Sequence, residues 1–159
     1  MAKLPRIFFK KDKDMVKNSN LIIGPSGSGR TYNWVIEREE LKSFANSLLN
    51  AGDVYYVDLT EKPNKFLGLN PKCHTYQDIP DFNAILEIIK SLYDDRIKLY
   101  DEGASCEGLP FINLIVYEKN QLPEKSLHNL QALMDYTLEK QRIAKLVFVL
   151  HDSVCSTTY

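Results

Sequence analysis

Three short runs of almost uninterrupted apolar residues constrain the fold of this 159-residue chain more than any other feature: Val54-Tyr55-Tyr56-Val57, Phe111-Ile112-Asn113-Leu114-Ile115-Val116-Tyr117 and Leu146-Val147-Phe148-Val149-Leu150. A strand with one face in water alternates polar and apolar side chains. A run without that alternation has to be covered on both faces, which is the situation of strands in a parallel sheet. Parallel strands need long crossovers, and amphipathic segments of suitable length separate the runs. From about Pro80 to Tyr100, residues Phe82, Ile85, Leu86, Ile89, Leu92, Tyr93, Ile97 and Tyr100 recur at three- and four-residue spacing, with Pro80 and Asp81 where a helix begins. From about Lys125 to Gln141, Leu127, Leu130, Leu133, Met134 and Leu138 predict a second helix. Thr60 to Pro71 and Gly103 to Pro110 read as loops, and Thr75-Tyr76 as a short extended segment. The expected fold class is α/β, a three-layer α/β/α sandwich around a mainly parallel sheet. It forms one domain over 20–159, preceded by a basic segment over 1–19.

A fourth apolar run, Leu21-Ile22-Ile23, leads into Gly24-Pro25-Ser26-Gly27-Ser28-Gly29-Arg30-Thr31. This matches the phosphate-binding pattern G-x-x-x-x-G-K-[ST], with Arg30 where the pattern has lysine. In such a loop the glycines let successive backbone N–H groups turn toward a phosphate, and a helix beginning at its end adds a positive dipole end. Tyr32, Trp34, Val35 and Leu41 after Thr31 are compatible with that helix. The hydroxyl of Thr31 is the natural ligand for a Mg²⁺ carried by the nucleotide. A guanidinium is planar and forked where lysine offers a compact point charge, so Arg30 favours nucleotide binding over efficient hydrolysis.

Composition narrows the remaining functions. The residues are 44% hydrophobic and 26% charged, as in an ordinary globular domain. No apolar stretch is long enough to cross a bilayer, and the start of the chain is too short in apolar residues for a signal peptide, so the cytoplasm is the expected location. Cys73, Cys106 and Cys155 lack disulfide or zinc spacing, as do His74, His128 and His151 for metal ligation. No metal is therefore expected on protein ligands alone. With a net charge of −1 the chain has no global footprint for nucleic acid, and only Lys10, Lys11, Lys13 and Lys17 make it locally basic.

The order of these segments resembles the motor domain of the FtsK/SpoIIIE-type DNA translocases, within the FtsK-HerA group of P-loop ATPases. The resemblance covers about 20–153. It rests on the loop 24–31, on Val54-Tyr55-Tyr56-Val57-Asp58, on Asp94-Asp95-Arg96-Ile97-Lys98-Leu99-Tyr100, on Leu109-Pro110 before the run 111–117, and on Gln141-Arg142-Ile143-Ala144 before the run 146–150. It implies a RecA-like core that binds ATP with Mg²⁺, acts on double-stranded DNA and assembles as a homo-oligomer or ring. Where the family ends its third strand with two acids, this chain has Tyr117-Glu118. A phenol gives Mg²⁺ no charge compensation, so weak or lost hydrolysis is expected. Glu118 reads equally as the base that activates water and as a solvated strand-end charge. His151 stands at the family's sensor position, although a loop residue is the preferred reading of it. Gly24, Asp58, Glu118 and His151 are all expected at the carboxyl ends of strands, where α/β folds bind ligands. Arg38, Arg96 and Arg142 are candidates for an arginine finger, with a structural role favoured for Arg96. The alternatives are a nucleotide-responsive scaffold module without catalysis and, less well supported, a small-molecule or nucleotide kinase.

Overall fold

A computed structural model of the chain describes residues 17–23, 30–34 and 38–155, with side chains over 38–151. The run 24–29, which carries most of the phosphate-loop reading, lies outside the described residues, as does most of the basic segment.

The described elements are β1 (Lys17–Ile23), β2 (Arg30–Trp34), α1 (Arg38–Leu48), β3 (Gly52–Asp58), β4 (His74–Tyr76), α2 (Ile79–Asp101), β5 (Phe111–Tyr117), α3 (Glu124–Thr137), α4 (Gln141–Ala144) and β6 (Leu146–Cys155). The sheet order is β2-β1-β6-β5-β3-β4. The pairings β6-β5, β5-β3 and β3-β4 are parallel, whereas β1 runs antiparallel to both β6 and β2. The fold is α/β with a mainly parallel sheet, as expected.

Side-chain alternation along the strands divides the core between two faces. On one face Ile112, Leu114, Val116, Leu146, Phe148 and Leu150 pack against Phe82, Ile85 and Ile89 of α2 and Leu130 and Leu133 of α3. On the other, Val54, Tyr56, Ile115, Val147 and Val149 pack against Leu41, Phe44, Ala45 and Leu48 of α1. Both faces of β5 are thus covered, which its unbroken apolar run requires. Asn113 is the polar exception, and its Nδ2 donates to the carbonyl of Asp53 at 2.9 Å.

Helix α2 begins one residue before the expected Pro80 because Asp78 caps it: the Asp78 Oδ1 accepts from the Asp81 N–H at 2.9 Å. Asp78→Ala is expected to lower stability by about 1 kcal/mol in urea unfolding, the usual cost of losing such a cap. The helix expected to run to Gln141 ends at Thr137 and gives way to a 3₁₀ turn, Leu138–Lys140, and to α4. Side chains explain the break. The Thr137 hydroxyl and Gln141 Nε2 both donate to the Met134 carbonyl at 3.2 Å, the acceptor that Leu138 N–H would use in a continuing helix, and that N–H turns instead to the Asp135 carbonyl.

The helix expected directly after Gly29 is not found there. Arg30–Trp34 forms β2, with Thr31 in register with Ile22 and Arg30 with Ile23, and the first described helical residue is Arg38. Thr31, Tyr32 and Trp34 are residue types that favour strands, and a neighbouring strand offers their backbone a partner.

Candidate functional site

The three central parallel strands bring their carboxyl ends together on the face covered by α1. Asp58 ends β3 in register with Tyr117, which ends β5, and His151 lies beside Tyr117 in β6. All three side chains are buried, Asp58 completely. The imidazole of His151 stacks on the Tyr117 ring, with centroids 4.7 Å apart and planes 7° from parallel.

Arg38, the first residue of α1, closes this group. Its guanidinium carbon lies 5.0 Å from the centre of the Tyr117 ring, and one terminal nitrogen lies 3.4 Å from both Asp58 Oδ2 and Thr60 Oγ1. The other oxygen of Asp58 accepts from the Thr60 N–H at 2.9 Å and from its hydroxyl at 2.6 Å, an Asx turn that stops β3. Lys62 adds a second cation, 5.9 Å from the Tyr117 ring centre. Below them lies Tyr56, whose hydroxyl has no partner among the described residues. Burial, and next the Asp58 carboxylate, push its ionisation far above the usual phenol range, so it stays a neutral donor.

Glu118 follows Tyr117 with a left-handed backbone, φ 50° and ψ 61°. Its N–H donates to His151 Nδ1 at 3.0 Å, and its carbonyl accepts from the Gln121 N–H at 2.8 Å to form the 3₁₀ turn Lys119–Gln121.

Several sequence expectations meet here and others do not. Of the four residues expected at strand ends, Asp58, Glu118 and His151 come together, with Tyr117 between them. His151 is a strand residue, 1% exposed, and not the loop residue of the preferred reading, because Leu146–Cys155 is a single ten-residue strand. Gly24, the fourth of the residues expected at strand ends and the start of the glycine-serine run, lies outside the described residues, and only the direction of the strand before it bears on its place. Because β1 is antiparallel to β6, its last residue, Ile23, pairs with Val149, while Lys17 pairs with Cys155. The strand therefore leads away from the Asp58–Glu118–His151 end.

The arginine candidates also separate. Arg38 packs on Tyr117 and Asp58 of its own chain. Arg96 is buried and donates to the Ala144 carbonyl at 2.8 Å, the structural role favoured for it, while Arg142 is exposed. Sequence reasoning missed the contributions of Thr60 and Lys62, although Asp-x-Thr over 58–60 is a recognisable turn signal. Among the described residues no three His, Cys, Asp or Glu side chains cluster closely enough to hold a metal, and no helix is long and apolar enough to cross a membrane.

The molecule is an α/β domain with a closed polar and aromatic cluster at the carboxyl ends of its parallel strands, the region where folds of this class bind ligands. No family model matches the sequence, and no curated protein does. Among solved structures, the chain is similar to the pCW3 conjugation coupling protein TcpA in its monomer form with ATPγS, at 14% identity and a TM-score of 0.46, over 71% of this chain and 37% of that one. The chain thus spans little more than a third of the length of that structure.

Proposed function

We propose that the chain is an ATP-binding P-loop domain of the FtsK/HerA type, acting on double-stranded DNA as a subunit of a ring, with hydrolysis weak or lost. The binding half of this reading rests on the sequence pattern over 24–31, where backbone N–H groups and Arg30 would hold the phosphates and Thr31 the Mg²⁺. The observation that carries the loss of hydrolysis is Tyr117. By the sequence resemblance Tyr117 takes the place of a metal-shell carboxylate, and the strand ends there in a phenol held between the His151 ring and the Arg38 guanidinium, at the end of the sheet from which β1 leads away. The nearby carboxylate of Asp58 is already engaged by Arg38 and Thr60. Glu118 keeps the role of candidate base and His151 that of candidate sensor, with Nδ1 of His151 already engaged by the Glu118 backbone N–H. Strand β2 gives Arg30 and Thr31 no helix dipole to work with, which lowers phosphate affinity as well as the rate of any chemistry, so the binding half of the reading stands on the sequence pattern alone.

Thermal melts and phosphate release test the reading. ATP at about a hundred times its dissociation constant is expected to stabilise by roughly 2.7 kcal/mol, a rise of about 5–10 °C in Tm. Phosphate release should stay near the buffer rate with or without duplex DNA, and Arg30→Ala should abolish the ATP-dependent rise. An unchanged Tm at saturating ATP and ADP rejects the P-loop. DNA-stimulated turnover that Glu118→Gln removes would instead establish a working motor, and a gain in turnover in Arg30→Lys would locate the restraint in Arg30.

A further inference from the structure

We propose that the groove between α2 and α3 seats the basic residues 1–16 of a second copy of this chain, joining copies head to tail. The inference rests on the subunit reading above and requires no nucleotide.

The groove opens on the surface where α2 ends and α3 passes through its 3₁₀ turn toward α4, and it measures about 660 Å³. Its lining carries five carboxylates, Asp94, Asp101, Glu102, Asp135 and Glu139, against the amines of Lys98 and Lys140. Asp101 and Glu102 end α2, and Asp135 stands in the last turn of α3, places where a helix dipole favours cations. Little within the chain offsets this. Asp94 and Asp135 accept from neutral donors, the Tyr136 hydroxyl at 2.8 Å and Gln131 Nε2 at 2.9 Å. Lys140 lies 4.0 Å from Asp101, while Glu102 and Glu139 form no ion pair among the described residues. Burial, and then Tyr136, Asp94, Glu139 and Asp101, push the ionisation of the Tyr93 hydroxyl up, as a negative field does. The groove is apolar in part as well, with Tyr136 54% and Leu138 53% exposed. Its occupant has to be cationic and to bring apolar side chains.

The residues before β1 have that chemistry. They carry Lys3, Arg6, Lys10, Lys11 and Lys13 against Asp12 and Asp14, and the cations flank Ile7-Phe8-Phe9. Five charges against two on the segment thus meet five against two of opposite sign in the groove.

Reach assigns the contact to a second copy. Strand β1 begins with Lys17 opposite Cys155, the last residue of β6, whereas Leu138 and Lys140 of the groove stand just before α4, which leads to Leu146, the first. The ten residues of β6 put roughly 30 Å between those ends. From Lys17 back to Phe8 are nine residues, about 32 Å at full extension, which leaves nothing for the path around the helix layer. A contact between different patches of two copies is heterologous, so it repeats into a ring or a filament.

The test is analytical ultracentrifugation of the full chain without nucleotide, over a range of protein and salt concentrations. Assembly should weaken as salt rises. Glu102→Lys with Glu139→Lys, and separately Lys10→Glu with Lys11→Glu, should each raise the dissociation constant by about tenfold or more, because two exposed ion pairs turn repulsive. Mixing these two variants should restore assembly, since every groove then meets a segment of opposite charge. Leu138→Ser should weaken assembly at every salt concentration. A wild-type chain that stays monomeric overturns this contact and the subunit reading together. Assembly that ignores the charge reversals, or that mixing does not restore, overturns the contact alone and leaves a ring built elsewhere. If a variant fails to fold, the synthetic peptide 1–16 in excess over the wild-type chain decides: dispersal of the assembly supports the contact, and persistence overturns it.

Discussion

Gly52→Ala is expected to destabilise the fold by about 3 kcal/mol or more, the largest effect of an added methyl group at the described glycines. Gly52 opens β3 directly opposite Phe111, the first residue of β5, where the Phe111 N–H also donates to the Ala51 carbonyl at 3.1 Å. A Cβ on Gly52 would lie on the carbonyl oxygen and amide nitrogen of Phe111 and 2.7 Å from its carbonyl carbon. These are backbone atoms, so no side chain can swing aside, and relief requires the two central strands to part. The same register pairs Asp58 with Tyr117 six residues further on, so the strain reaches the candidate site. Gly103→Ala is the control: its φ of 90° penalises a side chain, but nothing lies within 4 Å of the new atom, and a cost of about 1 kcal/mol is expected. Urea unfolding of both variants checks the contrast. A Gly52→Ala protein as stable as the parent would mean that β3 and β5 are not registered as described.

Burial on both faces is what made the centre of this fold legible. The apolar run 111–117 coincides with β5, the run 54–57 lies inside β3, and the run 146–150 opens β6, because continuous burial leaves the same mark whatever the neighbours are. Helix α2 was equally plain, since 23 residues give a period of 3.6 room to show itself. Five residues do not. The spacing of Tyr32, Trp34 and Val35 suits a helix while the types of Tyr32 and Trp34 suit a strand, and over Arg30–Trp34 the strand prevails because β1 supplies its hydrogen bonds, a partner that local sequence does not specify. The end of α3 escaped notice for a related reason: Thr137 and Gln141 stop the helix through hydrogen bonds that become visible only once the helix exists.

The site divides along the same line. Asp58, Tyr117 and Glu118 were legible at strand ends, because the ends of buried runs are marked by the first polar or turn residue; His151 was read the same way, but β6 continues past it to Cys155. Arg38 was legible only as a cation. Its place over Tyr117 depends on α1 returning to the carboxyl end of the sheet, and its ion pair with Asp58 joins residues twenty positions apart. The bond between the Glu118 amide and His151 links residues 33 positions apart through a left-handed turn that no glycine or asparagine announces. The direction of β1 mattered most. A run such as Leu21-Ile22-Ile23 reads the same in either direction, and with β1 antiparallel the strand leaves the site where a parallel strand would lead into it.

Arg96 sets the second large expectation, and it separates a structural arginine from a catalytic one. The side chain is 8% exposed on α2, and its guanidinium donates to the carbonyl of Ala144, the last residue of α4, at 2.8 Å. Carbonyls in the last turn of a helix have no partner within it, so this donor closes α4 immediately before the left-handed Lys145 and the start of β6. The backbone of Arg96 is held as well, its carbonyl accepting from the Cys106 thiol at 3.4 Å. Burial lowers the pKa of the guanidinium from its usual value but leaves it charged at any ordinary pH. Arg96→Met keeps an apolar stem in place and is expected to cost about 2–3 kcal/mol, because it strips the buried carbonyl of its donor. Arg96→Ala adds a cavity and is expected to cost about 3–5 kcal/mol. Arg96→Lys restores a cation on a shorter reach and should recover part of the loss. Urea unfolding without nucleotide reads all three, and a structural arginine must show its full effect there. A parent-like midpoint in Arg96→Met, with the variant's only defect in nucleotide turnover or ring assembly, would instead make Arg96 a residue that works across a subunit boundary.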